Sequence, residues 1–506
     1  MLSRRDFFCL TGASVLTLTS IGPLRAATQP VTAASSPRRG RTPNIVYILA
    51  DDMGYGDVHA LGGRLSGFPT PHIDQMISEG MTFLDAHSGS SVCTPTRYGI
   101  LTGRYCWRTR LKRGVHMGWS NPPLIEKTRM TVPSYLRSQG YDTAAFGKWH
   151  LGIHFPTTDG KRPTPGNTDY SGRLDGGPTD VGFDRFEGCA NSMNQPPFIW
   201  VNNDRFVGKC TTVKTFQHTG PAEASFEAIE FLPKTTQKTV DYILEHGKSQ
   251  KPFFIYMALS APHTPIVPSK EFQGKSGINP YADLCMQVDD TVGKVLAAVK
   301  QAGLDNNTLI IFTSDNGCDP KADVATLRKH GHHTSGGYRG LKFGIYEGGH
   351  RMPFVARWPG TIKANVKTRE TICLTDLLAT VADLTGGCLP DNAGEDSVSI
   401  LPILLGEDYT SPLREATVHH SSSGAFAIRQ GKWKLCLCSG SSFPGRVPDA
   451  PWPKHKGKRP PVQLFDVEND PHEDHNVCLE HPEIVKRLTT LLVKYKQENR
   501  SVPHRK

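Results

Sequence analysis

The stretch NIVYILADDMG, Asn44–Gly54, decides how the rest of the chain reads. Asn44 to Ala50 form an uncharged run rich in Ile and Val, the pattern of a strand buried on both faces. Asp51 and Asp52 follow at once. Two acids at the carboxyl end of a buried strand lie where open α/β sheets place their ligands. The theme returns in NTLIIFTSDNG, Asn307–Gly317, a β-branched strand ending on Asp315 and Asn316. A third apolar run, Phe253–Leu259 within KPFFIYMALSAPHTP, delivers His263 past its end. TVPSYLRSQGYDTAAFGKWHLG reads as helix, glycine stop, strand, and a loop carrying Lys148 and His150.

Helical patterns fall between these strands. TPHIDQMISEGMTF reads as a short helix stopped at Gly80. Tyr281–Gly303 is the clearest helix: Leu284, Val288, Val292, Val295, Leu296 and Val299 recur every three or four places, and Gly303 supplies a stop. Alternation of helix and strand to about residue 385 predicts an α/β fold, a large mixed and mostly parallel sheet sandwiched by helices. Residues 152–220, rich in Gly, Pro and Asn, read as loops around a site. Beyond about residue 400 the texture changes. AFAIRQGKWKLCLC and PVQLFDVENDP read as strands of an antiparallel sheet, and Pro482–Asn499 as a closing helix. The expected division is a leader at 1–27, a linker at 28–42, a large α/β domain at 43–400 and a smaller C-terminal α+β subdomain at 401–506.

The 506 residues are 21% charged and 8% aromatic, a globular composition. The net charge of +10 is scattered, and its one compact early run, PRRGR at Pro37–Arg41, reads as a solvated linker. With no aromatic-interleaved basic stripe and no zinc-finger spacing, nucleic acid is excluded as a partner. MLSRRDFF at the start, a short apolar Ser/Thr-rich run and LRAATQP form a signal peptide of twin-arginine type. The chain is therefore expected to be exported, to a bacterial periplasm or beyond, with no stable membrane anchor. Cys9 leaves with this leader, and eleven of the 12 cysteines remain. Exported cysteines can pair, for example Cys189–Cys210 or Cys373–Cys388. Spacing does not decide the pairing; were all the others to pair, an odd number would leave one over, and Cys93 is the candidate.

Asp51, Asp52, Asp315 and Asn316 are all hard oxygen donors, which suit Ca²⁺ or Mg²⁺ and not zinc. A lone aspartate is usually a cap, but acids ending two buried strands are expensive without a cation. Arg97, Lys148, His150, His263 and Lys342 sit in Gly- or Pro-marked loops after strands or at a helix start. Fixed cations beside a divalent metal would hold a tetrahedral anion. In SVCTPTRYGILTGRY, Ser91–Tyr105, Pro95 fits the first turn of a helix, which would aim free N–H groups at Cys93.

SVCTPTRYGILTG resembles the first signature of the type I, formylglycine-dependent sulfatases, Cys-x-Pro-x-Arg followed by two apolar residues and Thr-Gly. GYDTAAFGKWH resembles their second, with Phe146 in place of a smaller residue. NIVYILADDMGYGD, APHTP, TLIIFTSDNG, GLKFGIYEGGHRMPF and LFDVENDPHEDHN match further blocks in the family's order, so the likeness spans nearly the whole mature chain. It implies an alkaline-phosphatase-like fold and an arylsulfatase-like sulfuric ester hydrolase. It also implies that Cys93 is oxidised to formylglycine (3-oxoalanine), whose hydrate is the nucleophile. A formylglycine-generating or anaerobic sulfatase-maturating enzyme would be a partner. Carried over position by position, Asp51, Asp52, Asp315 and Asn316 hold one calcium ion with residue 93. Arg97 and Lys148 steady the hydrate, Lys342 and Lys148 bind sulfate, His263 protonates the leaving group and His150 assists the hydrate. The chemistry is coherent: a second hydroxyl lets the enzyme expel sulfate by C–O cleavage and restore the aldehyde.

LKRGVHMGW, LRKHGHHTSGGYRG and EGGHRMP place His116, His332, His333 and Arg351 in loops expected to ring the site as substrate contacts. A second metal at His330–His333 is the less favoured reading, since no partner ligands are evident. Tyr98 and TGRYCWRTRLK resemble bacterial sulfatases acting on 6-sulfated galactose or N-acetylgalactosamine, so a sulfated carbohydrate is the expected substrate. Two alternatives are a phosphonate or phosphodiester hydrolase of the same superfamily, and a non-enzymatic glycan-binding protein whose Cys93 stays unmodified.

Overall fold

Four parallel strands carry the site: β1 (Asn44–Asp51), β2 (Asp142–Lys148), β3 (Phe253–Pro262) and β4 (Thr308–Ser314). In the sheet they lie in the order β4-β1-β3-β2. Ala50 stands opposite Ser314, and Asp51 opposite Pro262, so neighbouring strands finish at one level. Arg185–Cys189 continues the parallel run beyond β2. Phe354–Arg357 pairs antiparallel with β4, and short strands on both flanks complete a 10-stranded sheet. The computed structural model describes residues 42–442 and 460–505, all within one compact unit. The leader and most of the linker lie outside them.

Both faces of this sheet are covered, which is why β1 shows no polar alternation. Val46, Ile48 and Ala50 meet helices α1 (Pro71–Glu79) and α3 (Pro280–Gln301) on one side. Ile45, Tyr47 and Leu49 meet α2 (Cys93–Thr102) on the other. The Asn279 side chain accepts from Ala282 N to cap α3, with Pro280 in its first turn. Phe146, the departure noted above, packs edge-on against Tyr242 with ring centroids 5.6 Å apart. At Gly147 (φ +105°) a Cβ would lie 2.1 Å from the Ala258 carbonyl oxygen, so only glycine lets β2 turn Lys148 inward here.

The expected loops at 152–220 also hold Arg185–Cys189 and a separate hairpin, Thr212–Phe216 with His218–Ala222. These strands are too short to show a sustained apolar period. The C-terminal antiparallel sheet has four strands, Thr417–His420, Phe426–Gln430, Trp433–Cys436 and Gln463–Asp466. Helix Pro482–Gln497 covers it through Leu488, Leu491, Leu492 and Tyr495. No described helix is long and apolar enough to cross a membrane. All eleven described cysteines are free, so neither of the pairings left open by the sequence is made. Cys373 is buried while Cys388 is exposed, and the Cys189 thiol is engaged with Asn191 O at 3.0 Å.

A buried ionic layer joins the C-terminal sheet to the main body. Lys434 Nζ meets Glu347 Oε1 at 3.0 Å and Glu473 Oε1 at 2.8 Å, all three side chains having no exposed surface. Arg429 donates to Asp85 at 2.6 Å, and Arg351 binds both Asp85 and Glu347. Removing one partner of such a group strands the others without solvent. Lys434→Met is therefore expected to cost about 3–5 kcal/mol in urea unfolding. A loss below about 1 kcal/mol would mean the layer is not what docks the sheet.

Candidate active site

Arg97, on α2, has no exposed surface, and its guanidinium spans all four central strand ends. It donates from Nε to Asp315 Oδ2 at 3.0 Å, and Nη2 lies 3.5 Å from Asp51 Oδ2. Nη1 donates to Lys148 O at 3.1 Å and Nη2 to Leu259 O at 3.2 Å. One planar, permanently charged group thus fixes the ends of β4, β1, β2 and β3 together. The sequence motif had placed Arg97 beside residue 93; in the structure its bonds go to the carboxylates and strand ends.

The acids it gathers are fully buried. Lys148 Nζ bonds Asp51 Oδ2 at 2.6 Å, and Lys342 Nζ bonds Asp52 Oδ2 at 2.7 Å. Asn316 Nδ2 donates to Asp52 Oδ1 at 2.7 Å, which fixes the amide and leaves Oδ1 on its other side. Asn316 Oδ1 and Asp51 Oδ1 are buried oxygens without a hydrogen-bond partner among the described residues. Such atoms call for an explanation, and a hard cation supplies one. Asp51, Asp315 and Cys93 offer ligand atoms within 4.8 Å of one another, as do Asp51, Asp52 and His263. The cluster is therefore fit for a divalent metal: all its protein oxygen donors are hard.

Cys93 opens α2, whose first-turn N–H groups face the same point. Burial raises its thiol above the usual range, so it stays protonated near neutral pH. Cys93 Sγ lies 3.3 Å from His150 Nδ1. His150 Nε2 is 2.9 Å from the His116 carbonyl, which can only accept, so Nε2 carries the hydrogen and Nδ1 presents a lone pair to residue 93. Burial, and then Lys148, hold His150 well below the ordinary histidine range, hence neutral. Three non-glycine residues at this site occupy the left-handed region: Asp52 (φ 68°), His150 (φ 56°) and Phe343 (φ 78°), next to Lys342. Phe343 is held there by bonds from its N to Ser91 O and from Ser422 N to its carbonyl, both 3.0 Å. Conformations this uncommon persist where surrounding structure over-determines them, and they cluster at functional sites.

The structure brings together Asp51, Asp52, Cys93, Arg97, Lys148, His150, His263, Asp315, Asn316 and Lys342. His263 Nε2 stands 3.6 Å from Asp52 Oδ2. His116 joins them through its carbonyl. Three other residues expected as substrate contacts are placed differently. His332 is fully buried, bonded to Asp57 at 2.7 Å and to Gly67 N at 3.0 Å, so both ring nitrogens are used. Asp57 in turn accepts from Gly54 N and Tyr281 Oη, both at 2.6 Å, which makes His332 a prop for the loop after Asp52. Arg351 belongs to the ionic layer described above. His333 lines a cleft with Leu65, Arg328, Tyr338 and His472. Sequence reasoning missed Asp319, which lies 3.3 Å from Lys342 Nζ and is 7% exposed. Asp-Pro at 319–320 looks like a turn cap, and Asp319 does cap Lys321 N at 2.9 Å, so its second role is hidden.

Comparison with known proteins gives the family. Residues 43–387 match the sulfatase family model. An N-acetylgalactosamine-6-O-sulfatase of Bacteroides thetaiotaomicron is 33% identical over 503 residues, covering 90% of this chain and 93% of the relative. Human arylsulfatase A is 33% identical over 485 residues, covering 89% and 87%. A solved structure from work on glycosaminoglycan metabolism by Bacteroides thetaiotaomicron superposes with a TM-score of 0.78 at 32% identity, covering 90% of this chain and all of that one. The chain belongs to the sulfatase family, in the alkaline-phosphatase-like superfamily, and is a sulfuric ester hydrolase.

Burial raises Asp52 to about 8, against the pull of Lys342 and with the repulsion of Asp51; burial and then Asp51 raise Asp315 to about 6. An incoming cation must displace the protons these groups hold, so affinity rises with pH through this window. Calorimetric titration of metal-stripped protein with calcium ion is expected to give binding ~10-fold or more tighter near pH 8 than near pH 6. Affinity flat across that range would contradict the assignment of these carboxylates as ligands.

Proposed function

We propose that this enzyme hydrolyses sulfate monoesters of carbohydrates, with 6-sulfated N-acetylgalactosamine or galactose as the substrate class. The observation that carries the reading is the placement of residue 93. It sits at a helix N-terminus, against the neutral face of His150, between a carboxylate cluster and two buried lysines. A protonated buried thiol is a poor nucleophile, whereas formylglycine at this position would supply a hydrated aldehyde. Asp51, Asp52, Asp315 and Asn316 would hold calcium, which supplies Lewis acidity and charge neutralisation when bound.

The chain's own groups then have defined work. Lys148 and Lys342 bring positive charge to the sulfate and to the charge that grows on it in the transition state. His150 Nδ1 is the acceptor for a proton from the side chain at position 93. His263 faces the leaving group. Burial and then Lys342 push its imidazole down to about 3, so it is neutral in the resting site. A sulfate seated beside Lys342 offsets that repulsion and lifts His263 toward protonation, so the proton for the leaving alcohol is recruited when substrate binds. Asp319, paired with Lys342, fixes the ammonium's position. Twin-arginine export to the periplasm, and maturation of Cys93 by a formylglycine-generating or anaerobic sulfatase-maturating enzyme, complete the reading. The sulfatase relatives support it, one being an N-acetylgalactosamine-6-O-sulfatase over nearly its full length.

Assaying N-acetylgalactosamine 6-sulfate, the 4-sulfate and a phosphodiester side by side tests it. The expected order of kcat/KM puts the 6-sulfate first and the phosphodiester at least ~100-fold lower, the discrimination a few misplaced contacts produce. A preference for the phosphodiester would overturn the assignment in favour of the superfamily's other chemistry.

A further inference from the structure

On the His150 side of the site lies a set of buried polar atoms that the chemistry above does not use. His116 Nε2, Ser192 Oγ, Asn194 Oδ1 and Gln195 Oε1 each lack a hydrogen-bond partner among the described residues. Their side chains belong to residues that are 7%, 2%, 8% and 5% exposed. Buried polar atoms left unpaired are costly, and native structures keep few without a reason. Here four occur on two neighbouring segments.

Both segments are tied to the reacting centre. The first, around His116, is held by the His150 Nε2 bond to its carbonyl and by its own N donating to Thr94 Oγ1 at 3.2 Å. The second leaves the strand Arg185–Cys189 directly beside His150, whose N donates to Ala190 O at 3.0 Å. Asn191 Nδ2 staples the two together through the carbonyls of Gly118 at 3.2 Å and Trp119 at 3.1 Å. Gln195 Nε2 donates to Met117 Sδ at 3.1 Å. Asn194 Nδ2 donates to Gln217 Oε1 at 3.1 Å, and Thr264 Oγ1 donates to the same oxygen at 2.8 Å. Thr264 adjoins His263. The contacts therefore run as a chain from Cys93 through His150, the His116–Met117 segment, Gln195, Asn194, Gln217 and Thr264 to the residue beside it, His263.

The chemistry of this lining is selective. Residues 190–197, ANSMNQPP, carry no charge. Burial and then Arg110 press His116 down to about 4, so it too is neutral at ordinary pH. A carboxylate or a second sulfate gains nothing from such a lining. A ring of hydroxyl groups, each able to donate and to accept, satisfies the orphaned oxygens and the imidazole nitrogen together.

We propose that His116, Ser192, Asn194 and Gln195 form the leaving-group subsite, hydrogen-bonding an uncharged, hydroxyl-bearing sugar ring and so selecting sugar sulfates over sulfates of plain phenols. The proposal rests on the sulfatase reading above and adds which residues recognise the alcohol. Asn194→Leu and Gln195→Met keep size and remove the polar ends.

The test compares kcat/KM for N-acetylgalactosamine 6-sulfate with that for 4-methylumbelliferyl sulfate, whose leaving group has no polyol. In the double variant the sugar-to-aryl ratio is expected to fall about 10–100-fold, mainly through KM for the sugar. A ratio within about twofold of the parent enzyme's overturns the subsite, while parent turnover of the aryl ester keeps the sulfatase reading standing. A parent enzyme inactive on both esters overturns both. Should the double variant be recovered inactive on both, Ser192→Ala decides, with an expected fall in the same ratio of about 5–10-fold; an unchanged ratio there counts against the subsite.

Discussion

Everything near the site depends on the cost of keeping Arg97 out of water. A buried guanidinium must be paired and hydrogen-bonded on every side, and unpaired it would cost several kcal/mol. Arg97 meets that demand with Asp315, Asp51 and two backbone carbonyls drawn from four different strands. Satisfying one cation thus forces β4, β1, β3 and β2 to end at a common point. Placing the arginine one helical turn after residue 93 fixes α2 over the same point. The acidic strand ends, Lys148 and residue 93 converge because they are attached to elements that this side chain has already gathered.

Charge balance carries the argument outward. Three carboxylates are matched in number by Arg97, Lys148 and Lys342, yet burial still pushes Asp52 and Asp315 toward their protonated forms. Neutral histidines border the cluster on both sides. Behind it, a second ionic layer built on Lys434, Glu347, Glu473, Arg351, Arg429 and Asp85 docks the C-terminal sheet. That sheet reaches the site directly. His420 O accepts from Ser91 N at 3.2 Å, and Ser422 N holds Phe343. Residues on either side of the reacting point, 91 and 343, are therefore placed by a part of the chain more than seventy residues away in sequence.

Much of this was legible in the sequence, for identifiable reasons. Strand ends announce themselves: NIVYILADD and TLIIFTSDN show an abrupt change from apolar to acidic, and its recurrence at two buried strands points to a ligand at their tips. The long helix at 280–301 was readable from its period, and the C-terminal strands from their length and turns. What the sequence hid were contacts made across the fold. Asp319 looks like an ordinary turn cap, and its contact with Lys342 exists only after a loop closes. His332 and Arg351 look like free polar residues in glycine-rich loops, yet each is spent on a buried acid, Asp57 or the Asp85–Glu347 pair. The segment Ser192–Gln195 has no periodicity at all, so its unpaired polar ends are visible only in three dimensions. The cysteines were not decidable from sequence, because pairing depends on which thiols the fold brings together, and each described thiol is held singly.

The central claim is that residue 93 acts as an aldehyde hydrate and not as a thiol. Mass spectrometry of the peptide bearing Cys93, from protein purified out of its native host without reduction, addresses that claim most directly. The account predicts that the peptide carries formylglycine, trapped as a hydrazone when a hydrazine reagent is added, in proportion to sulfatase activity. A fully active preparation in which Cys93 remains an unmodified, alkylatable thiol would contradict it.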